Sequence, residues 1–338
     1  MREARCAREQ GTNSNIAHRA SRIANKEDEK MNFGRILTAM VTPMKENLEV
    51  DYLSARSLAQ YLIKHGSDGI VVCGTTGESP TLTNEEKIRL FKEVKEAVGS
   101  SGSVLAGVGS NSTAASVDLA IQAATTGVDG LLVVVPYYNK PSQEGMYRHF
   151  EAIAKAVTLP VMLYNVPTRT VTNLLPATVK RLAQIPNIVS IKESAGLMDQ
   201  VSELKRILPT DFTVYSGDDS QTLPMLALGC SGVVSVAAHI IGNEMKNMMD
   251  AWFAGDSRTA AQWHLQLYPF FKGIFVTTNP VPIKTLVNML GLKAGGVRLP
   301  LIDVTEDERK FLAKLLDDFK QDELLAAVAP KNRSMKEI

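Results

Sequence analysis

Ile188-Val189-Ser190-Ile191-Lys192 is followed at once by Glu193-Ser194-Ala195-Gly196. A short apolar run bounded by small, turn-forming residues reads as a buried strand, here one that closes on a lysine. One such strand does not decide a fold, but its repetition does. From Phe33 onward similar runs rich in β-branched residues recur at 36–41, 69–73, 104–108, 130–135, 160–164, 212–216 and 232–236. With 188–192 that makes eight, their starts roughly 20–35 residues apart.

The segments between them carry helical signals. Thr83-Asn84-Glu85-Glu86 has the form of a capping box, after which Ile88, Phe91, Val94 and Val98 share one face. Leu58, Tyr61 and Leu62 pattern the preceding segment in the same way, and 144–156 and 199–208 follow suit. Strands alternating with helices imply a parallel sheet, and eight such units imply a closed (β/α)8 TIM barrel. An open doubly wound sheet would want a glycine-rich dinucleotide turn after its first strand. That strand ends Thr42-Pro43-Met44-Lys45, without glycine. Gly107-Val108-Gly109-Ser110-Asn111-Ser112 lacks the third glycine of the fingerprint, and Gly107 and Gly109 read as turn residues.

About 100 residues follow the eighth strand, too many for one barrel helix. They show helical patterns at 282–290, 306–319 and 323–328. The expected organisation is therefore a barrel over 31–255 and a C-terminal helical subdomain over 256–338. Residues 1–30 mix basic and acidic side chains without apolar periodicity and are expected to be a disordered extension. They contain no hydrophobic signal region, and their acids argue against a transit peptide. Met31, just before the first strand, is the expected natural start, or else residues 1–30 are a dispensable extension.

Composition removes several function classes. The chain of 338 residues is 45% hydrophobic and 22% charged, with a net charge of +1, so it carries no basic footprint for nucleic acid. No apolar run approaches the roughly 18–20 residues that span a bilayer. Cys6, Cys73 and Cys230 are too few and too odd for a disulfide framework and fit a reducing, cytoplasmic setting. His18, His65, His149, His239 and His264 are scattered, with no zinc-like spacing, and no metal or cofactor is expected. Asp218-Asp219 could be argued as a metal pair, but the commoner explanation is a loop carboxylate capping a helix that starts near Ser220.

In barrels of this kind the reactive residues sit at the C-terminal ends of the strands. Lys192 is one. A lysine on a buried strand is costly unless it is paired, near water or deprotonated, and a neutral amine is a nucleophile toward carbonyls. Two readings stand: a strand-end lysine paired with Glu193 or solvent, and a Schiff-base lysine. The other strand ends favour the second. Gly74-Thr75-Thr76-Gly77 can cradle a small carboxylate or phosphate, although a tight turn with two capping threonines fits it equally well. Tyr138 and Tyr164 end the fourth and fifth strands. Phenols and the Thr75 hydroxyl can move protons to and from a substrate oxygen without a metal or histidine. Arg169, in the loop after Tyr164, suits a second carboxylate.

Gly74-Thr75-Thr76-Gly77-Glu78-Ser79, Pro136-Tyr137-Tyr138-Asn139-Lys140-Pro141, Tyr164-Asn165-Val166-Pro167, Ile191-Lys192-Glu193-Ser194, Ser216-Gly217-Asp218-Asp219 and Asn279-Pro280-Val281-Pro282-Ile283-Lys284 resemble, in this order, the dihydrodipicolinate synthase family. The likeness runs from about Met31 to beyond Leu301. It implies a class I aldolase-like lyase on a (β/α)8 barrel, with no cofactor. Lys192 would form the Schiff base with pyruvate, Tyr164 would donate and accept protons, and Thr75 and Tyr138 would complete the relay. Tyr138 would reach into a neighbouring subunit's site. Thr76 and the backbone at Val234 would hold the pyruvate end, and Arg169 the carboxylate of aspartate semialdehyde. The product would be 4-hydroxy-tetrahydrodipicolinate, on the route to diaminopimelate and lysine, and the assembly a homotetramer built as a dimer of dimers.

N-acetylneuraminate lyases resemble the chain in the lysine and tyrosine but carry Ser-Thr in place of Thr75-Thr76 and lack an arginine matching Arg169. Sugar-acid aldolases can share Thr-Thr, so Arg169 carries much of the distinction. A non-catalytic keto-acid binder would be expected to have lost the lysine or the relay. Lysine-inhibited relatives have residues matching Ser79, Asn111 and Tyr137, but a histidine and a glutamate where this chain has Asn84 or Lys87, and Ala115. Weak or absent feedback by lysine is therefore expected.

Overall fold

The computed structural model describes residues 33–321. The expected 1–30 extension, the Met31 start and the 323–328 helix lie outside the described residues. The strands are β1 (Ile36–Ala39), β2 (Gly69–Val72), β3 (Ser103–Gly107), β4 (Gly130–Val134), β5 (Val161–Asn165), β6 (Ile188–Glu193), β7 (Thr213–Ser216) and β8 (Gly232–Ser235). They pair in sequence order, β8 returns to β1, and every ladder is parallel. The eight runs read from the sequence are these strands, displaced at their ends by one or two residues.

Two apolar layers explain why the runs are hydrophobic throughout. Leu37, Val71, Leu105, Leu132, Met162, Tyr215 and Val234 fill the barrel interior. Ile36, Ile70, Val104, Leu131, Val161 and Ile188 face the surrounding helices. The helix Asn84–Val98 begins with the capping box expected of it: Thr83 Oγ1 accepts from Glu86 N, and Glu86 Oε2 accepts from Thr83 N. Phe91, Val94 and Val98 are buried on its inner face together with Leu90, and Ile88 is partly buried.

One irregularity places the central lysine. Val161 pairs with Ile188, but Met162 pairs with Ser190, so Val189 is an extra residue in β6. Past this bulge Leu163 meets Ile191 and Tyr164 meets Lys192. Ile188 and Ile191 face the helices while Lys192 stands beside Tyr164 and Tyr215, both interior. A strictly alternating β6 would have put Ile188 and Lys192 on the same face.

After β8, the helix Ala238–Phe253 packs against β1 and closes the ring. The helices Ser257–Gly273, Val281–Met289 and Glu306–Gln321 follow and pack on one another. No described helix is long and apolar enough to cross a membrane.

Gly107 and Gly109 differ from their expected role. Neither has a positive φ. A side chain at Gly107 would strike the carbonyl of Cys73, and one at Gly109 the backbone of Val134. They are glycine because neighbouring strand ends crowd them, not because the chain turns there.

Candidate active site

Lys192 is 6% exposed and makes no hydrogen bond or ion pair among the described residues. Its Nζ lies 4.3 Å from the centroid of the Tyr164 ring, on the ring's face. The salt bridge to Glu193 does not form. Glu193 points the other way, where it accepts from Asn165 Nδ2, Gln200 Nε2 and the backbone N–H of Ala195. Burial pushes the Glu193 carboxyl above the usual range, and those donors oppose it. Gly217 makes room for the lysine, because a side chain there would run into Ser194 Oγ and the Lys192 stem. Gly217 belongs to a motif legible in the sequence, but its role depends on β6 and β7 being neighbours.

Above this pair opens a cavity of about 340 Å³, lined by Thr75, Tyr164 and Arg169 together with Ser79, Lys87 and Tyr137. The fold thus brings Thr75, Tyr164 and Arg169 to one cavity with Lys192 stacked on Tyr164. Tyr138 is not among them: its side chain is 86% exposed and its φ is +73°, an unusual conformation for a tyrosine. Its neighbour Tyr137 occupies the cavity wall instead.

Thr76 and Val234 are buried and do not line the cavity. Thr76 follows Cys73, which has φ +55°, and precedes Glu78, which has φ +57°, so the loop is held in a tight, strained path. The Thr76 hydroxyl accepts from Asn279 Nδ2 at 2.9 Å. Arg169 Nη2 donates to the backbone oxygen of the same residue, Asn279, at 3.3 Å. Val234 forms part of the interior layer on β8.

The strand that carries Val234 is fixed from behind. Asp219 Oδ2 accepts from the backbone N–H groups of Val236 and Ala237 at 3.1 and 2.9 Å. Burial raises the Asp219 carboxyl to about 6. Asp218 is the expected cap, through its bond from Ser220 N at 2.8 Å, and Asp219 braces the β8 end. His239 joins β1 to β8 here: Nε2 accepts from Val41 N and Nδ1–H donates to Val236 O. Among the described residues no three His, Cys, Asp or Glu side chains converge as a metal site.

Lys284 was legible only as part of a motif. Its ammonium donates to Glu78 Oε1 at 2.8 Å, to Thr42 O at 2.9 Å and to Gly296 O. The backbone N–H of Arg298 donates to Glu78 Oε2, and its guanidinium grips Glu86 through two nitrogens. The loop that carries Thr75 and Thr76 is thereby tied to the C-terminal helices.

The profile of the Dihydrodipicolinate synthetase family matches residues 32–319. The chain belongs to that family. The 4-hydroxy-tetrahydrodipicolinate synthase of Desulforamulus reducens is 56% identical over 289 residues, covering 85% of this chain and 98% of the relative. The dihydrodipicolinate synthase of Bacillus anthracis superposes with a TM-score of 0.83 at 49% identity, over 85% of this chain and 98% of that one. The dihydrodipicolinate synthase of Cyanidioschyzon merolae, crystallised with lysine bound, gives 0.84 at 46% identity, over the same shares. The barrel and the helices after β8 are thus those of a dihydrodipicolinate synthetase family member.

Proposed function

We propose that the protein is a 4-hydroxy-tetrahydrodipicolinate synthase, a lyase of diaminopimelate and lysine biosynthesis that joins pyruvate to L-aspartate 4-semialdehyde on Lys192. The observation that carries the reading is the buried Lys192 nitrogen on the face of Tyr164, without a hydrogen bond or ion pair among the described residues. Such an amine has no ion pair to break before it attacks a carbonyl.

The Lys192 nitrogen adds to C2 of pyruvate, and the carbonyl oxygen leaves as water to give the imine. Loss of a C3 proton gives an enamine. Its C3 attacks the aldehyde carbon of the semialdehyde, and the new alkoxide takes up a proton. The semialdehyde's own amine then displaces Lys192 from C2, closing the ring and freeing the enzyme, with one water released overall. Tyr164, beside Lys192, moves the protons, with Thr75 and Tyr138 completing the relay. Thr76 and the backbone at Val234 hold the pyruvate carboxylate, and Arg169 at the cavity wall holds that of the semialdehyde.

Tyr138 enters a partner's site in this reading, within a homotetramer made of two dimers. Its exposure in a strained conformation supports this. Sedimentation at assay concentration tests it; a fully active monomer would overturn it. The barrel runs to residue 255 on this reading, with the C-terminal helical part from 256. Buried, unpaired Cys73 and Cys230 support a cytoplasmic setting, which cell fractionation tests.

The reaction is tested by incubating the protein with pyruvate and borohydride. The expected product is a reduced adduct on Lys192 by mass spectrometry, alongside condensation with the semialdehyde far faster than cleavage of sialic acid or keto-deoxygluconate. An unmodified Lys192, or the reverse ranking of substrates, rejects the assignment.

A further inference from the structure

We infer that Asn279 is a positioning residue that sets the direction of the Thr76 hydroxyl and joins the two carboxylate-holding side chains of the reaction. The inference rests on the reading of Thr76 and Arg169 given above and assigns a role to a residue outside the barrel strands.

Asn279 lies 203 residues from Thr76 in sequence, yet its Nδ2 donates to Thr76 Oγ1 at 2.9 Å in a buried contact. A threonine hydroxyl has one proton and two lone pairs. With a lone pair engaged by the amide, the Thr76 proton is directed elsewhere, as a donor for a substrate carboxylate. The backbone oxygen of Asn279 meanwhile accepts from Arg169 Nη2, so one residue touches both holders. Its own Oδ1 is buried without a partner. A buried acceptor left bare costs stability and points to a role other than packing.

The joint is stiff. Asn279 is joined through Pro280 to the helix Val281–Met289, whose Lys284 is bonded to Glu78, two residues past Thr76. The loop and the asparagine are held at both ends of the same clasp, so the amide is kept facing the hydroxyl. Positioning of this kind acts on substrate binding more than on the bond-making steps at Lys192.

The test is a double-mutant cycle of Asn279→Ala and Asn279→Asp against Thr76→Val, read as KM for pyruvate and kcat separately. In the native background Asn279→Ala is expected to raise the pyruvate KM by up to about tenfold, the order of one hydrogen bond, while kcat moves far less. With Thr76→Val present, Asn279→Ala should add almost nothing. Asn279→Asp keeps the size and the backbone acceptor, so it serves if the alanine variant does not fold. Its added charge would act in both backgrounds, and the part that vanishes with Thr76→Val is the positioning effect. A native pyruvate KM in Asn279→Ala, or equal effects in both backgrounds, overturns the inference while borohydride trapping on Lys192 still succeeds. Failure of trapping in the native protein rejects the reaction assignment, and the role of Asn279 with it.

Discussion

Lys192 and Lys284 are both lysines in a protein interior, at 6% and 2% exposure, and they are treated in opposite ways. Lys284 is saturated: a carboxylate and two backbone oxygens surround its ammonium. Burial still lowers its pKa below the usual lysine range, with Glu78 only partly offsetting the loss of water. Lys192 has an aromatic face and, among the described residues, no acceptor. The first lysine holds the C-terminal helices to the loop bearing Thr75 and Thr76. The second is left free to meet a carbonyl. Burial alone does not mark a reactive lysine; burial without a partner does.

The largest effect that sharpens this contrast is Lys192→Ala. It should lower the condensation rate by at least about 10³-fold and abolish the borohydride adduct. Thermal unfolding should stay close to native, because no ion pair is lost. A melting temperature as depressed as that of a Lys284 variant would break the comparison.

Lys284→Met should act on stability instead. It leaves the Glu78 carboxylate, whose side chain is 0% exposed, buried without its partner. Removing one member of a buried pair costs about 3–5 kcal/mol, measurable by urea unfolding. Combining it with Glu78→Gln should restore a large part of that loss, since a buried pair contributes little beyond its own desolvation. No recovery in the double variant would mean that the clasp is a net source of stability.

Lys87 gives the smallest effect. It lines the same cavity as Ser79 and Tyr137, and burial lowers its pKa. Free lysine approaching that wall meets a cation where an acidic partner would be needed, so sub-millimolar lysine should leave the initial rate unchanged. Strong inhibition in a steady-state assay at that concentration would show that Lys87 does not face the effector.

Much of the molecule was legible along the chain because its signals are local. The eight apolar runs, the capping box at Thr83 and Glu86, and the lysine, phenol and threonine at strand ends each depend on a few consecutive residues. Arg169 was legible for the same reason, and the structure sets it on the cavity wall. Gly107 and Gly109 were misread because the crowding that demands glycine comes from Cys73, just past β2, and from Val134 on β4. The bracing role of Asp219 was not legible because its bonded partners, Val236 and Ala237, lie beyond β7 at the far end of β8.

The sequence by itself determined a barrel of alternating strands and helices and a lysine at the end of the sixth strand, since hydrophobic period and turn residues act over short distances. Which way that lysine faces was decided in three dimensions. The alternation of 188–192 would place Ile188 and Lys192 together, and the bulge at Val189 separates them, turning Lys192 inward beside Tyr164. Register is a property of two strands, so no single strand encodes it. The meeting of Asn279 with Thr76, and of Lys284 with Glu78, arises likewise only when the helices after β8 fold back over the loop after β2.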